Sequence, residues 1–198
     1  MLVDFSDAIF VARKNLAASS HCLFFMGDIQ RLPFAKDFAD FIFCLGVLHH
    51  LPSPCLGEVR KLKKYAPSLL IFLYYSLDNR PFYFRFILSM VTVARRLLCT
   101  VRNETFRKMF SLAGTFFLYM PLVIMGKLLK PLGLSSNVPL YDAYHDKGVA
   151  RIEQDVYDRF FTRIEQRVSR KQIKALHDTF AAVTISGYLP YHHFLCKR

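Results

Sequence analysis

Residues 27–51 read GDIQRLPFAKDFADFIFCLGVLHHL, and the reading of this stretch decides the fold. Asp28 closes a short apolar run, Leu32-Pro33-Phe34 turns the chain, residues 38–45 (FADFIFCL) form a strand, and Val47-Leu48-His49-His50-Leu51 leaves it. A strand that is apolar on both faces belongs in the middle of a parallel sheet, because helices cover such a sheet on both sides. This is how one half of a nucleoside-binding α/β sheet is written, with an acid at the strand end where such folds hold their ligand.

Working outward, residues 1–5 (MLVDF) are the tail of a buried strand ending on Asp4. Ser6 or Asp7 is placed to cap the helix that follows, with Ala8, Val11, Ala12 and Leu16 on one face. Residues 23–26 read as a second strand, residues 56–65 as a helix with Lys and Arg outward, and residues 68–75 (SLLIFLYY) as a fourth, buried strand. Strand, helix, strand, strand, helix, strand predicts a doubly wound, Rossmann-like α/β sheet. The pattern returns at the end of the chain. Ser169 caps a helix to about residue 180, and residues 182–186 and 188–196 make a hairpin about Gly187.

Between these parts lies a different kind of sequence. Residues 79–134 are apolar and basic, helical in character, with Pro81, Pro121 and Pro131 as interruptions; residues 137–158 are polar, aromatic and loop-like. At 198 residues the chain is one domain with an appendage. It divides into a partial core over 1–78, a hydrophobic basic helical insertion or cap over 79–136, and a linker with the closing helix and hairpin over 137–198.

The net charge of +12 calls for an anionic partner, and its distribution selects among partners. Residues 79–130 hold nine basic residues against Glu104 alone, which is +8 of the total, among Phe, Leu and Met. Cations among apolar side chains suit a phospholipid surface better than a nucleic-acid groove, and no nucleic-acid motif accompanies them. Residues 109–126 carry no charge between Lys108 and Lys127. As a helix they extend roughly 27 Å at about 1.5 Å per residue, somewhat short of a hydrocarbon core of about 30 Å. Three readings stay open for this stretch: a membrane span, a membrane-surface or lipid-acceptor cap, and helices packed over the site or on a second copy.

The five cysteines (Cys22, Cys44, Cys55, Cys99, Cys196) are scattered and form no Cys-x-x-Cys, which reads as thiols in a reducing, cytoplasmic compartment, at the inner face of a membrane if the cap binds lipid. Cys44, His49, His50 and Cys55 lack typical zinc-ligand spacing, so no metal is expected. Asp4 and Asp28, each at a strand end, are the candidate ligand acids. The competing reading of each is a helix cap or a turn former.

The runs Val3-Asp4-Phe5-Ser6, Gly27 to Phe34, Phe38 to Leu45 and Val47 to Leu51 together resemble class I S-adenosylmethionine-dependent methyltransferases of the type 11, small-molecule kind. Tyr74 to Pro81 and Thr162 to Arg170 resemble members of that group with a hydrophobic insertion before the last strands. The resemblance implies S-adenosylmethionine as cofactor. Asp4, with Phe5 beside it, would bind the ribose hydroxyls, Asp28 would read the adenine amine, and Ile29 would give a backbone contact. Leu45 and Gly46 would flank the methionine portion, and His49 and His50 would face the acceptor, at most one of them acting. In-line methyl transfer draws much of its rate from alignment, so a base is needed only where the acceptor must lose a proton.

The resemblance also implies a Gly-rich loop for the carboxypropyl end of the cofactor. In related folds the acid follows that loop by about 20 residues, so counting back from Asp4 leaves the loop, the central strand and the first helix unrepresented. The expectation is therefore an N-terminally incomplete sheet with weak cofactor binding by the chain alone. The acceptor is expected to be a small molecule or a lipid-linked one. The alternative is a non-catalytic methyltransferase-like paralogue that docks on a membrane or protein through the basic cap.

Overall fold

The computed structural model describes residues 1–187 and 193–198. The strand and helix order follows the sequence: β1 (Leu2–Asp4), α1 (Ala8–Asn15), β2 (Phe24–Met26), β3 (Ile42–Leu45), α2 (Cys55–Leu62) and β4 (Ser68–Phe72). β1 pairs with β2 in parallel, Asp4 lying opposite Met26, and this pair stands as its own sheet. The second sheet has the order β3-β4-β6-β5, built with β5 (Ala182–Ile185) and β6 (His193–Lys197). β3 and β4 are parallel, while β6 runs antiparallel to both β4 and β5. The turn and strand start proposed for 188–192 lie outside the described residues.

Among the described residues β1 pairs only with β2 and β3 only with β4. In a doubly wound sheet of order 3-2-1-4-5-6, one central parallel strand lies between the positions that β1 and β3 occupy. Both edges that would flank such a strand are unpaired here.

The strand at 38–45 is shorter than its apolar run. Residues 38–41 leave the ladder because the chain is tied instead to the end of α2: Asp37 N–H donates to Lys64 O (3.0 Å) and Ala39 N–H to Tyr65 O (3.2 Å). Nor are both faces of β3 buried. Cys44 lies in register with Ile71 and Phe194 on the side covered by α2 and α8 (Arg170–Lys174), where Val59, Leu62 and Ile173 complete a core. On the opposite side Phe43 is 67% and Leu45 46% exposed. The α1 face is also corrected: Ile9 is its buried residue, whereas Val11 and Leu16 are exposed. Ser6 Oγ accepts from Ala8 N–H (3.3 Å), and the Asp7 side chain makes no cap.

Pro81 precedes α3 (Phe82–Leu98), and Asn103 caps α4 (Glu104–Gly114) by accepting from Phe106 N–H. Pro121 does not interrupt the next helix. A π-helical turn, Thr115–Tyr119, joins α4 to α5 (Met120–Leu129), so the i→i−4 bond that a proline cannot donate is absorbed by a change of pitch. The composite helix runs from Glu104 to Leu132, long and apolar enough to cross a membrane by length and composition, with 28% of its most apolar window buried.

The loop-like reading of 137–158 is wrong. Residues 141–144 form α6 (Tyr141–Tyr144) and residues 149–161 form α7 (Val149–Phe161), whose Ile152, Val156 and Phe160 recur at a spacing of four and bury one face. With Tyr119, Val123, Tyr144 and Phe161 they form a second core, separate from that of the sheet. At the C-terminal end Ser169 and Gln172 form a reciprocal capping box at the start of α8.

Candidate active site

The two acids stand at the C-terminal ends of neighbouring parallel strands, linked by Gly27 N–H to Asp4 O (2.9 Å). Asp4 Oδ1 accepts from Ser6 N–H (2.7 Å) and Ser6 Oγ–H (2.6 Å). Asp28 Oδ1 accepts from Gln30 N–H (2.9 Å), which caps the single turn Ile29–Arg31. Each carboxylate therefore fixes its own loop with one oxygen and leaves Oδ2 without a hydrogen bond among the described residues. Ile29 is partly buried against the sheet core, while Phe5 is exposed. Gly46 follows β3 at φ +81, a left-handed conformation that favours glycine, and its N–H donates to Phe72 O (3.1 Å).

His49 and His50 close the turn Leu48–His50 and have opposite environments. His49 is fully buried, its ring stacked on Tyr74 at 3.8 Å between centroids. Its Nδ1 accepts from Tyr74 N–H (3.4 Å), and Nε2 has no partner among the described residues. Burial, reinforced by the charges of His50, Arg167 and Arg159, lowers its pKa to about 3. His49 is thus a neutral ring committed to the backbone. His50 is partly exposed, and its Nδ1 lies 2.9 Å from Ile164 O. A carbonyl only accepts, so Nδ1 carries the proton and Nε2 of the neutral ring keeps a lone pair.

Gln166 holds this turn in place. Its N–H donates to His49 O (2.9 Å), its Nε2 donates to Leu51 O (2.8 Å) and Ser53 O (2.7 Å), and its Oε1 accepts from Cys55 N–H (3.0 Å). Tyr74 and Gln166 were not singled out by residue type. Both lie in the runs that carried the resemblance, but a partner made of backbone groups leaves no mark on composition. Arg159 and Arg167 flank the Tyr74 ring at 5.7 and 5.3 Å. Burial and the Arg159 charge push the Arg167 guanidinium below its ordinary value, against the pull of Glu165.

Burial raises the thiols of Cys44 (to about 11), Cys196 (to about 12) and Cys55, so these are protonated core residues at neutral pH. Among the described residues no group of three or more His, Cys, Asp or Glu could hold a metal ion.

Residues 1–65 match the family model described as a methyltransferase domain. Over this third of the chain the sequence is similar to methyltransferase domains. The matched segment contains both strand-end acids, Gly46 and the two histidines. A crystal structure of a candidate methyltransferase from Bacillus halodurans C-125 is 19% identical, with a TM-score of 0.38 over 47% of this chain and 42% of that one. This chain thus spans less than half the length of that protein. No curated protein matches the chain.

The matched segment places two acids with spare oxygens at adjacent strand ends. A cavity of about 640 Å³ lies along α2 between Gln30 and Lys64 and shares only Ile29 with the positions that the family resemblance singles out.

Proposed function

We propose that the chain acts in S-adenosylmethionine-dependent methyl transfer to a small or lipid-linked acceptor, with Asp4 and Asp28 holding the nucleoside. The observation that carries this reading is the pair of carboxylates at neighbouring parallel strand ends, each with one oxygen free, inside the segment that matches the methyltransferase domain. A bidentate acceptor suits two adjacent ribose hydroxyls, and a second acid suits an exocyclic amine. When bound, the cofactor supplies an electrophilic methyl group. The chain supplies alignment, with Leu45 and Gly46 at the mouth of β3.

His50 is the base where the acceptor must lose a proton. Its Nδ1–H is held by Ile164 O, leaving Nε2 as the acceptor, while His49 at a pKa of about 3 has no spare nitrogen lone pair to offer. His49 is a positioning residue through Tyr74.

The unpaired edges of β1 and β3 support a further part of the proposal: full affinity requires a parallel strand with its Gly-rich loop between them. The test is calorimetric titration with S-adenosylmethionine of the chain alone and of a fusion that adds a strand and Gly-x-Gly loop before Met1. Affinity weaker than micromolar for the chain and a gain for the fusion are expected. Micromolar binding by the chain alone refutes the need for the strand, and no binding by either refutes the cofactor reading. In the active fusion, His50→Ala loses turnover at neutral pH more than His49→Asn does.

The same open edges favour a second reading, a non-catalytic methyltransferase-like protein docking on a membrane. The α3 residues Phe82, Phe86, Met90, Val93 and Leu97 form an exposed apolar stripe, with Arg85 and Arg96 beside it. Apolar side chains rimmed by cations match an anionic lipid surface, and both readings use this stripe as the lipid-facing side of the cap.

A further inference from the structure

A cavity of about 450 Å³ opens between α3, α5, α6 and α7, and its two ends differ in chemistry. One end is aliphatic and aromatic: Phe84, Ile87, Leu88 and Val91 of α3, Leu122 of α5 and Val138. The other end holds three arginines, Arg80, Arg159 and Arg167. Arg80 pairs with Asp142 (2.5 Å) and Arg167 with Glu165 (2.7 Å). Arg159 forms no ion pair among the described residues. Arg159 is held instead by a hydrogen bond with the Tyr119 hydroxyl and by the more distant charge of Glu165, so three guanidinium groups draw on two acids. Three guanidinium groups gathered with only two acids at one end of an otherwise apolar cavity mark a place for an anion.

Two further features sit on the same walls. Leu77 and Leu140 both line the cavity and both have left-handed backbones, at φ +59 and +70. Non-glycine residues held there cost of order 1–3 kcal/mol and cluster at ligand sites. Arg80 Nε, on the cavity wall, is buried without a partner among the described residues. The arginine end is also one ring from the histidine turn: Arg159 and Arg167 lie over Tyr74, which stacks on His49.

We propose that this cavity takes a single-chain amphiphile: an aliphatic tail along α3 and α5, and an oxyanion head, carboxylate or phosphate, on Arg159 and Arg167. The tail enters past Ile87 and Leu118, which are 41% and 45% exposed at the cavity wall. Its role as the methyl acceptor rests on the proposed methyl transfer; its binding does not.

The test is calorimetry on the full chain with dodecyl phosphate below its micelle concentration, dodecyltrimethylammonium, and inorganic phosphate. One dodecyl phosphate per chain is expected, bound at least about tenfold tighter than either comparison ligand, because each misses one half of the recognition. Arg159→Gln and Leu88→Trp, which removes the charge and fills the tail end respectively, each weaken binding by about tenfold or more. Leu128→Ser, on the exposed face of α5, leaves it unchanged. Far-UV circular dichroism checks each variant, and the comparison between ligands needs no variant. Equal binding of the two detergents, equal binding of inorganic phosphate, or loss only with Leu128→Ser overturns the proposal. No cofactor is present in these titrations. Failure to bind S-adenosylmethionine therefore sinks the transfer reading alone, and failure to bind dodecyl phosphate sinks the pocket alone.

Discussion

His49 makes the fold acid-labile, and the size of the effect follows from its surroundings. The ring is fully buried, one nitrogen accepts from Tyr74 N–H, and the other has no partner among the described residues. Its pKa is lowered from 6.5 to about 3, first by burial and then by the nearby cations. A group with a depressed folded pKa contributes stability that is present above the unfolded value and lost as pH falls towards the folded one. Above pH 6.5 the ring is neutral in both states and costs nothing. Below it the unfolded chain takes up a proton that the folded chain refuses. The cost is then about 1.4 kcal/mol for each pH unit, or about 1.4 kcal/mol at pH 5.5 and about 2.7 kcal/mol at pH 4.5. His49→Asn keeps an acceptor near the Nδ1 position and removes the titration. Urea unfolding followed by far-UV circular dichroism suits a chain that has no tryptophan. The stability difference between wild type and variant should shrink by those amounts at pH 5.5 and 4.5, at constant ionic strength. Parallel curves for the two proteins across this range would refute the reasoning, because carboxylates and the other histidines titrate in both.

Gln166→Ala removes three side-chain hydrogen bonds and strands the Cys55 N–H, so it should lower stability by about 2–4 kcal/mol, read from the urea midpoint. Gly126→Ala places a Cβ 2.2 Å from the Tyr141 ring and should cost about 1–3 kcal/mol through overpacking, measured in the same way. Replacing Phe86 and Met90 by serine on the exposed stripe of α3 should abolish flotation with vesicles containing anionic lipid, while the helical signal stays unchanged. Flotation equal to wild type would detach the stripe from membrane binding.

The first three strands were legible because each is a short apolar run ended by an acid or a glycine, and the acids were legible because a strand end fixes where they must lie. The strand at 38–45 was overcalled for a physical reason. Apolar residues promise two buried faces, but Phe43 and Leu45 have no helix over them, and Asp37 and Ala39 bond to the end of α2. α7 was missed because Ile152, Val156 and Phe160 give one apolar residue per turn amid polar neighbours, and the surface they bury belongs to the insertion. Overlooking α7 also hid Arg159. His49 and His50 are alike in sequence; only the turn that buries one and leaves the other half-exposed separates them.

The basic character of the insertion divides into two uses once the side chains are placed. Arg85, Arg96, Arg102, Lys108, Lys127 and Lys130 are exposed, and cations near an anionic leaflet contribute about 1 kcal/mol each. The other three turn inward and bind the cap to the rest of the chain. Arg80 bonds to Asp142 and Ser136 O, and Arg107 to Val101 O and the Tyr157 hydroxyl. Arg95, buried within α3, donates to Thr162 O and Arg163 O at 3.0 and 3.1 Å. The next residue, Ile164, offers its carbonyl to His50, and Gln166 two residues on clasps the turn from His49 to Cys55. Hydrogen bonds at both ends of residues 162–166 thus connect α3 to the histidine turn. A displacement of α3 relative to the sheet must either break the two Arg95 bonds, leaving a buried guanidinium unpaired, or carry residues 162–166 and the His50 ring with it. The first course is the costlier, since hydrogen bonds to charged groups are worth roughly 1.5–3 kcal/mol each. The second ties the position of His50 to the seating of the cap, so the helix proposed to meet the lipid also aims the ring proposed to take the acceptor's proton.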